Sequence, residues 1–410
     1  MKYNIVLVLI LLFPVLSYPI DKPDGFASIS GNGLGTTTGG MGGKTITVTT
    51  LADLQLYAKA AEPYIILVKG KIDAVPEGLN INVASNKTIA GLGNDATIYQ
   101  GELHLINVSN VIIRNLTIRD SYVEGDYDGK TEDWDGIQAD SCHHIWIDHC
   151  FLTHNCDGLI DLRKACDYVT VSWVHFYNHN KTLGIGWTTD TGFHITVHHC
   201  YFDSTNQRNP SFDMGMGHLY NNYIRKMGSY GNYARGYSRV IIENSVFEDS
   251  KNPVIYDTTA KLYVSGLQIT DCTGGQTANV TAPPYNIRNY YNYSLDETSK
   301  VKAIVKTGAG PDSSIGKQYL SSAANTEKRF SEEELLKVVS LSSFSLKVRI
   351  NTEGPYTVSL LSLNGRAIQI SNGRNTSTIN FNINTRGVYF LSLHKNNGRF
   401  QQKCEKIIIQ

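Results

Sequence analysis

Residues 145–152 read IWIDHCFL, and the same phrase returns as VTVSWVHF at 169–176 and ITVHHCYF at 195–202. Upstream lie IILVKG, KTIAGL and VIIRNLTI, and downstream HLYNNYI, VIIENSVF and LYVSGLQI. The repeat anchors are Ile66, the second residue of IILVKG, and the first residues Lys87, Val111, Ile145, Val169, Ile195, His218, Val240 and Leu262, at gaps of 21, 24, 34, 24, 26, 23, 22 and 22. Each phrase is a β-rich run of three to five residues, too short to bury its own apolar face, and repeats of this period predict a solenoid. Strands stacked in parallel about 4.8 Å apart make a β-helix. The runs close at one register on Asn115, His149, Trp173, His199, Asn222, Asn244 and Gly266. Stacked amides can hydrogen-bond along such a corner, so His149 and His199 read as structural rather than catalytic. The competing fold is an antiparallel sandwich, against which the scarcity of two-residue hairpin turns counts.

The chain has 410 residues, enough for a large domain and a small one. Its 37 basic and 37 acidic residues balance, leaving no global field to draw nucleic acid or an anionic membrane. Residues 1–17 read as a secretory signal, the alternative being an uncleaved anchor. An odd count of seven cysteines leaves at least one thiol unpaired and matches no zinc module. Residues 310–341 read as a linker with one short charged helix. From 342 to 410 a second module alternates apolar and polar residues, with Asn364-Gly365 and Asn397-Gly398 at hairpin positions, which predicts a small antiparallel β-sandwich.

Measured from the repeat, the charged residues fall into register. Asp133 and Asp135 precede Ile145 by 12 and 10 positions, and Asp157 and Asp161 precede Val169 by 12 and 8. Lys181 precedes Ile195 by 14 and Arg208 precedes His218 by 10. Four successive coils then set acid, acid, lysine and arginine along one side. Carboxylates near 4 Å apart repel by about 4 kcal/mol at an effective dielectric near 20. Protonation or a bound cation must relieve that, and an all-oxygen set favours calcium. Taken singly, each aspartate reads more readily as a solvated turn residue, and only the four in register beside a lysine and an arginine reverse that. A cation beside a lysine and an arginine suits an anionic polymer: a metal withdrawing charge from a uronate carboxylate acidifies the adjacent proton and opens β-elimination. Trp134 and Trp187 flank these motifs and read as sugar contacts, Trp146 and Trp173 as packing.

The phrases GFASISGNGLGTTTGG (25–40), NKTIAGLG (86–93), DWDGI (133–137), DGLIDLRK (157–164), HNKTLGIG (179–186), QRNPSF (207–212) and VIIENSVFED (240–249) carry a resemblance to the pectate lyases of polysaccharide lyase family 1. The resemblance spans roughly residues 22–309. It implies a secreted right-handed parallel β-helix that cleaves de-esterified homogalacturonan with the help of Ca2+; a solenoid with covered ends is in itself expected to be a monomer. By the same resemblance Asp133, Asp135, Asp157 and Asp161 are the calcium ligands, Lys181 and Arg163 bind substrate, and Arg208 abstracts the C5 proton. A guanidinium normally keeps its proton, so that last role needs surroundings that disfavour the charge. Two positions depart from the pattern: Asp157 stands where Glu is common, and Asp213 where many relatives carry a second substrate-binding arginine. Arg163 or Arg225 could substitute for that arginine, or Asp213 could hold Arg208 in a structural ion pair. GVYFLSL (387–393) and KIIIQ (406–410) resemble type IX secretion sorting domains, a carbohydrate-binding appendage being the alternative. The other functions in play are a noncatalytic pectin-binding adhesin and a calcium-independent pectin lyase.

Overall fold

The computed structural model describes residues 21–127, 129–320, 336–341, 345–350, 355–362, 367–374, 377–382, 387–395 and 402–409. The expected signal segment and both Asn-Gly dipeptides lie outside them. Two compact units divide at Ser321/Ser322.

Three parallel sheets of ten, nine and eight strands wrap the first unit into a β-helix. The ten-stranded sheet holds the repeated phrases, and its ladder pairs Lys87 with Val111, Val111 with Ile145, Ile145 with Val169 and Val169 with Ile195. Two anchors shift. Lys87 pairs with Tyr64, two residues before Ile66, because Tyr64–Val68 is apolar throughout and has no alternation to fix its phase. Ile195 pairs with Gly217, one residue before His218. The corner residue of that coil is therefore Asn221 and not Asn222.

Asn115, His149, Trp173, His199, Asn221, Asn244 and Gly266 all take left-handed backbone, with φ from 39° to 64°. One such residue turns the chain sharply between sheets, and Asn, His and Gly tolerate that region better than most. The rings stack on neighbouring coils, His149 on Trp173 at 5.6 Å and Trp173 on His199 at 4.3 Å. Both histidines are thus structural, and Trp173 packs as expected. Trp146 is buried, with its Nε1 donating to Ser172 Oγ at 2.9 Å.

Inward-facing Ile, Val, Leu and Phe from all three sheets form one continuous core, and each coil covers its neighbours. The helix Leu51–Ala58 caps the first coils with Leu54 and Ala58. Along the flank, the helix Thr298–Gly308 buries Val301 and Val305 against Tyr201, Tyr223 and Val246. Residues 313–320 are helical and pack Ile315 and Tyr319 on Ile65, Leu67 and Ala90. No described helix is long and apolar enough to cross a membrane. Cys142, Cys150, Cys156, Cys166, Cys200 and Cys272 are free thiols, the first five of them buried.

One buried charge pair ties this wrapping to the core. Arg114 lies over the Trp146 ring at 4.3 Å and meets Asp148 at 2.7 Å, both side chains being almost wholly buried. It also reaches Asp21 and Tyr319. Burial pushes the Asp148 carboxyl up, but Arg114 and His149 outweigh it and hold it down at about 2. Asp148→Ala leaves the buried Arg114 with only the half-exposed Asp21 carboxylate and is expected to destabilise the fold by about 3 kcal/mol, measurable as a lowered denaturant midpoint.

The second unit pairs a three-stranded antiparallel sheet (Leu336–Leu341, Ser345–Ile350, Ser377–Asn382) with a four-stranded one (Pro355–Leu361, Ala367–Arg374, Gly387–Lys395, Gln402–Ile409). Alternate residues from both sheets, among them Leu346, Val348, Tyr356, Val358, Leu360 and Phe381, are buried. That alternation is what a two-layer sandwich requires.

Candidate active site

The eight-stranded sheet runs Leu79–Asn82, Gly101–Ile106, Ile137–Asp140, Gly158–Arg163, Lys181–Gly186, Ser211–Asp213, Asn232–Arg235, Val254–Tyr256. Asp133 and Asp135 arrive on the connection into Ile137, which belongs to the one long coil between Val111 and Ile145. Asp157 immediately precedes Gly158, Asp161 lies within that strand, Lys181 opens the next, and Arg208 comes just before Ser211. Register places Asp161 between Gln138 and Gly184, and Lys181 beside Gly158 and Gln207. Arg163 sits between Asp140 and Gly186. All seven predicted site residues therefore meet on one sheet.

Carboxylate oxygens of Asp133, Asp135 and Asp157 lie within 4.8 Å of one another. Asp135 is fully buried and held on several sides. Its backbone N–H donates to Glu102 Oε2 at 2.9 Å, its Oδ1 accepts the Gly158 N–H at 2.6 Å, and its Oδ2 accepts from Gln138 Nε2 at 3.0 Å. A Cβ on Gly158 would stand 2.7 Å from that Oδ1, so glycine is what admits the carboxylate. Gln138 also donates to Asp133 Oδ2 at 3.3 Å, and its own Oε1 lies 2.9 Å from His104 Nε2.

This crowding raises proton affinities. Burial first, then the Asp157 charge, pushes Asp135 up to about 7. Burial, then Asp135, pushes Glu102 up to about 9, and Glu102 Oε1 is buried with no hydrogen-bond partner. Asp161 is also raised well above the usual carboxylate range, by burial and then Asp135. Asp157 is raised by burial even though Lys181 opposes it. The cluster thus holds more negative charge than its cations neutralise. An oxygen-only set of this kind fits a hard divalent ion such as calcium.

Lys181 and Arg208 follow the acids on the next two coils, while Arg163 lies among them. Lys181 Nζ pairs with Asp157 Oδ1. Arg208 Nη1 lies 3.5 Å from Asp161 Oδ1, and its guanidinium stands over the Trp187 ring at 5.0 Å. Arg163 is engaged by Asp140 at 2.7 Å and Asp133 at 2.9 Å. The Arg208–Asp213 ion pair entertained from the sequence does not form; Arg208 instead reaches back two coils, across the strand Lys181–Gly186, to Asp161. Arg225 sits on the nine-stranded sheet and pairs with Asp203 at 3.2 Å, away from the site. Trp187 is exposed beside Arg208, while Trp134 lies half-buried across Gly78.

Sequence reasoning missed Glu102, His104, Gln138 and Arg235. The first three are the outward residues of their strands, alternating with buried Leu103, Leu105, Ile137 and Ala139. That alternation was available as a signal. Arg235 carried none, because only the stacking of coils sets it beside Asp213.

A β-helix with a file of carboxylates and cations across successive coils is a protein built to hold an extended acidic chain. The family model described as pectate lyase matches residues 3–314, and the chain belongs to that family and is a polysaccharide lyase. A second model, described as a secretion system C-terminal sorting domain, matches residues 343–410. A pectate trisaccharide-lyase of Thermotoga sp. (strain RQ2) is 34% identical over 74% of this chain and 92% of its own length. One from Bacillus licheniformis is 34% identical over 70% of this chain and 85% of its own. Among solved structures, a pectate lyase from Bacillus sp. N165 in complex with trigalacturonate has a TM-score of 0.59 at 26% identity, covering 70% of this chain and 98% of that one.

Proposed function

We propose that the protein is a secreted, monomeric pectate lyase that cleaves de-esterified homogalacturonan by calcium-assisted β-elimination, leaving unsaturated oligogalacturonides. The observation that carries this reading is the single file of Asp133, Asp135, Asp157, Asp161, Lys181 and Arg208 on one sheet. Trigalacturonate bound to a 26% identical pectate lyase supports the substrate class. The match of residues 343–410 to a sorting domain supports export, here assigned to a type IX route.

Asp133, Asp135 and Asp157, with Asp161 beside them, would hold the cation. A divalent ion there supplies a Lewis acid that withdraws charge from a uronate carboxylate and acidifies the proton on C5. Lys181 binds the same carboxylate and stabilises the charge that builds on it as the proton leaves. Arg163, already tied to Asp133 and Asp140, steadies the acidic end of the file and offers its remaining donor surface to substrate. Arg208, entering as a neutral guanidine because a divalent ion held beside it would disfavour a second positive charge, takes the C5 proton and ends the step protonated. The C–H electron pair becomes the C4–C5 double bond, the C4–O bond breaks, and the departing oxygen is protonated by solvent. Trp187 supports the Arg208 guanidinium from one side, while Asp161 orients it from the other.

The test is ultraviolet absorbance during incubation with polygalacturonate. Absorbance rising in step with new reducing ends is expected. Reducing ends without absorbance mean hydrolysis, binding without either means an adhesin, and a preference for fully methyl-esterified pectin means a pectin lyase. The relatives named for trisaccharide release make unsaturated trigalacturonate the first product to look for.

A further inference from the structure

Two of the buried thiols stand side by side on neighbouring coils. His143 and Asp167 are register partners in the ten-stranded sheet, and one residue earlier in each coil come Cys142 and Cys166. The Asp167 N–H donates to the Cys142 carbonyl at 2.9 Å. Just upstream, Asp140 pairs with Arg163 in the eight-stranded sheet. Between those two ladders each chain turns through left-handed backbone, at Ser141 in one coil and at Lys164 and Ala165 in the next. Both cysteine side chains then enter the core, each only 1% exposed.

The sulfurs converge on one stretch of backbone. Cys142 Sγ lies 3.3 Å from the Asp140 carbonyl oxygen, and Cys166 Sγ lies 3.2 Å from that of Ala139. Cys166 Sγ also accepts from the Cys142 N–H at 3.4 Å. In-register parallel neighbours stand about 4.8 Å apart, within the roughly 4.4–6.8 Å between Cα atoms that a disulfide spans. The thiols act on one another as well. Cys166 holds the Cys142 pKa below the ordinary thiol range, while Cys142, and then burial, pushes Cys166 up. Among the described residues no other two cysteines are so placed. Cys150 and Cys200 lie on alternate coils with Val174 between them, Cys156 meets the Glu132 carbonyl and Cys272 that of Thr270.

The chain between the two sulfurs is the coil that carries Asp157, Asp161 and Arg163. The strand that leads into Cys142 follows directly from Asp133 and Asp135. A bond between Cys142 and Cys166 would therefore tie these two acid-bearing coils together at the end of the paired strands Ile137–Asp140 and Gly158–Arg163.

We propose that Cys142 and Cys166 are a disulfide-forming pair, oxidised as the exported chain folds, and that the bond holds the two acid-bearing coils at the spacing the cation needs. The inference rests on the export part of the proposed function, because disulfides form and persist in oxidising compartments. The oxidant is a disulfide of the glutathione or protein dithiol class. The Cys142 thiolate attacks one sulfur of the donor, forming a mixed disulfide and expelling one thiolate. The Cys166 thiolate then attacks the Cys142 sulfur and expels the second. Two electrons pass to the donor, and the two protons shed by the cysteines end on its two thiols. Burial closes the pair to solvent in the finished fold, so the exchange belongs to folding.

The experiment refolds the full chain from denaturant in a glutathione redox buffer and, separately, in dithiothreitol, then alkylates the remaining thiols under denaturing conditions. After oxidative refolding, tandem mass spectrometry is expected to find Cys142 linked to Cys166 and the other five of the seven cysteines alkylated. The oxidised form should melt about 5 °C above the reduced form, the scale for closing a loop of roughly 25 residues in a unit of this size. It should also bind calcium severalfold more tightly by calorimetry, because its ligands are already positioned. In Cys142→Ala both differences between the two refolding conditions vanish. All seven cysteines alkylated, or a link that joins another pair, overturns the proposal, as does a Cys142–Cys166 bond that leaves the calcium Kd unchanged. The buffer supplies the oxidant and no reading depends on turnover. A chain that forms the bond there but is recovered only from the cytosol of its producing cell defeats the export reading alone.

Discussion

Arg208→Ala is expected to lower kcat by about 10²–10⁴-fold, the range for removing a positioned proton-transfer group, with KM changed much less. Among the site's cations, Arg208 has the loosest ionic restraint of those that are paired at all. Asp161 is 3.5 Å away, whereas Arg163 is tied at 2.7 and 2.9 Å. Its side chain is free to turn toward a substrate carbon while Trp187 keeps it on the sheet face. The backbone beneath is fixed by Asn209, whose Oδ1 accepts from Thr205 at 2.8 Å and whose Nδ2 donates to the Tyr230 carbonyl at 2.9 Å. Arg208 itself has φ of 59°, but so do many corner residues in this fold, so that conformation is not what marks it. Arg208→Lys should bind trigalacturonate nearly as well as the parent and remain far slower, because an ammonium restores charge without the planar fork. Thermal stability should barely move, since a partly exposed 3.5 Å ion pair contributes little. Initial rates of ultraviolet absorbance, set against calorimetric binding, decide the matter. A folded Arg208→Ala variant within tenfold of the parent kcat means that another group takes the proton.

The fold was legible because a coil states itself locally. Each repeat has an inward apolar row and a corner residue suited to left-handed backbone, and both are visible in single phrases such as IWIDHC. Legibility failed where those marks were doubled or missing. In HLYNNY two adjacent asparagines could each be the corner, and the reading slipped by one. In Tyr64–Val68 every residue is apolar, and the phase slipped by two. The site was legible as far as distance along the chain maps onto position within a coil, which gathered Asp133, Asp135, Asp157, Asp161, Lys181 and Arg208. Pairings were not, since they depend on which neighbour a side chain reaches. Lys181 chose Asp157, Arg208 chose Asp161, and Asp213 was left without either arginine. Arg235 became visible only once Asp213 had a neighbour on the next coil.

Removing divalent ions should abolish lysis and change how stability depends on pH. Without a cation, Asp135 has a folded pKa of about 7, set by burial and then by Asp157, against about 3.9 for an unfolded aspartate. Because the folded pKa lies above the unfolded one, the folded state binds more protons between those values. Its stabilising contribution is complete below about pH 4 and is lost as pH rises through about 7. Asp161 and Glu102 shift in the same direction and strengthen the trend. The melting temperature of chelator-treated protein should therefore fall across that window. Calcium binds the deprotonated cluster, so its stabilising effect should grow over the same window. At a hundredfold excess over Kd it adds about 2.7 kcal/mol, or roughly 4 °C for a unit of about 300 residues. Asp135→Asn separates electrostatics from packing. It removes one of the mutually repelling charges, so at neutral pH in chelator it should melt at or above the parent. It should also lose most of the calcium-induced shift and most of the activity. Scanning calorimetry from pH 4 to 8, with and without calcium, gives all of these comparisons. A parent that melts and cleaves identically under both conditions leaves the acidic cluster without the role assigned to it.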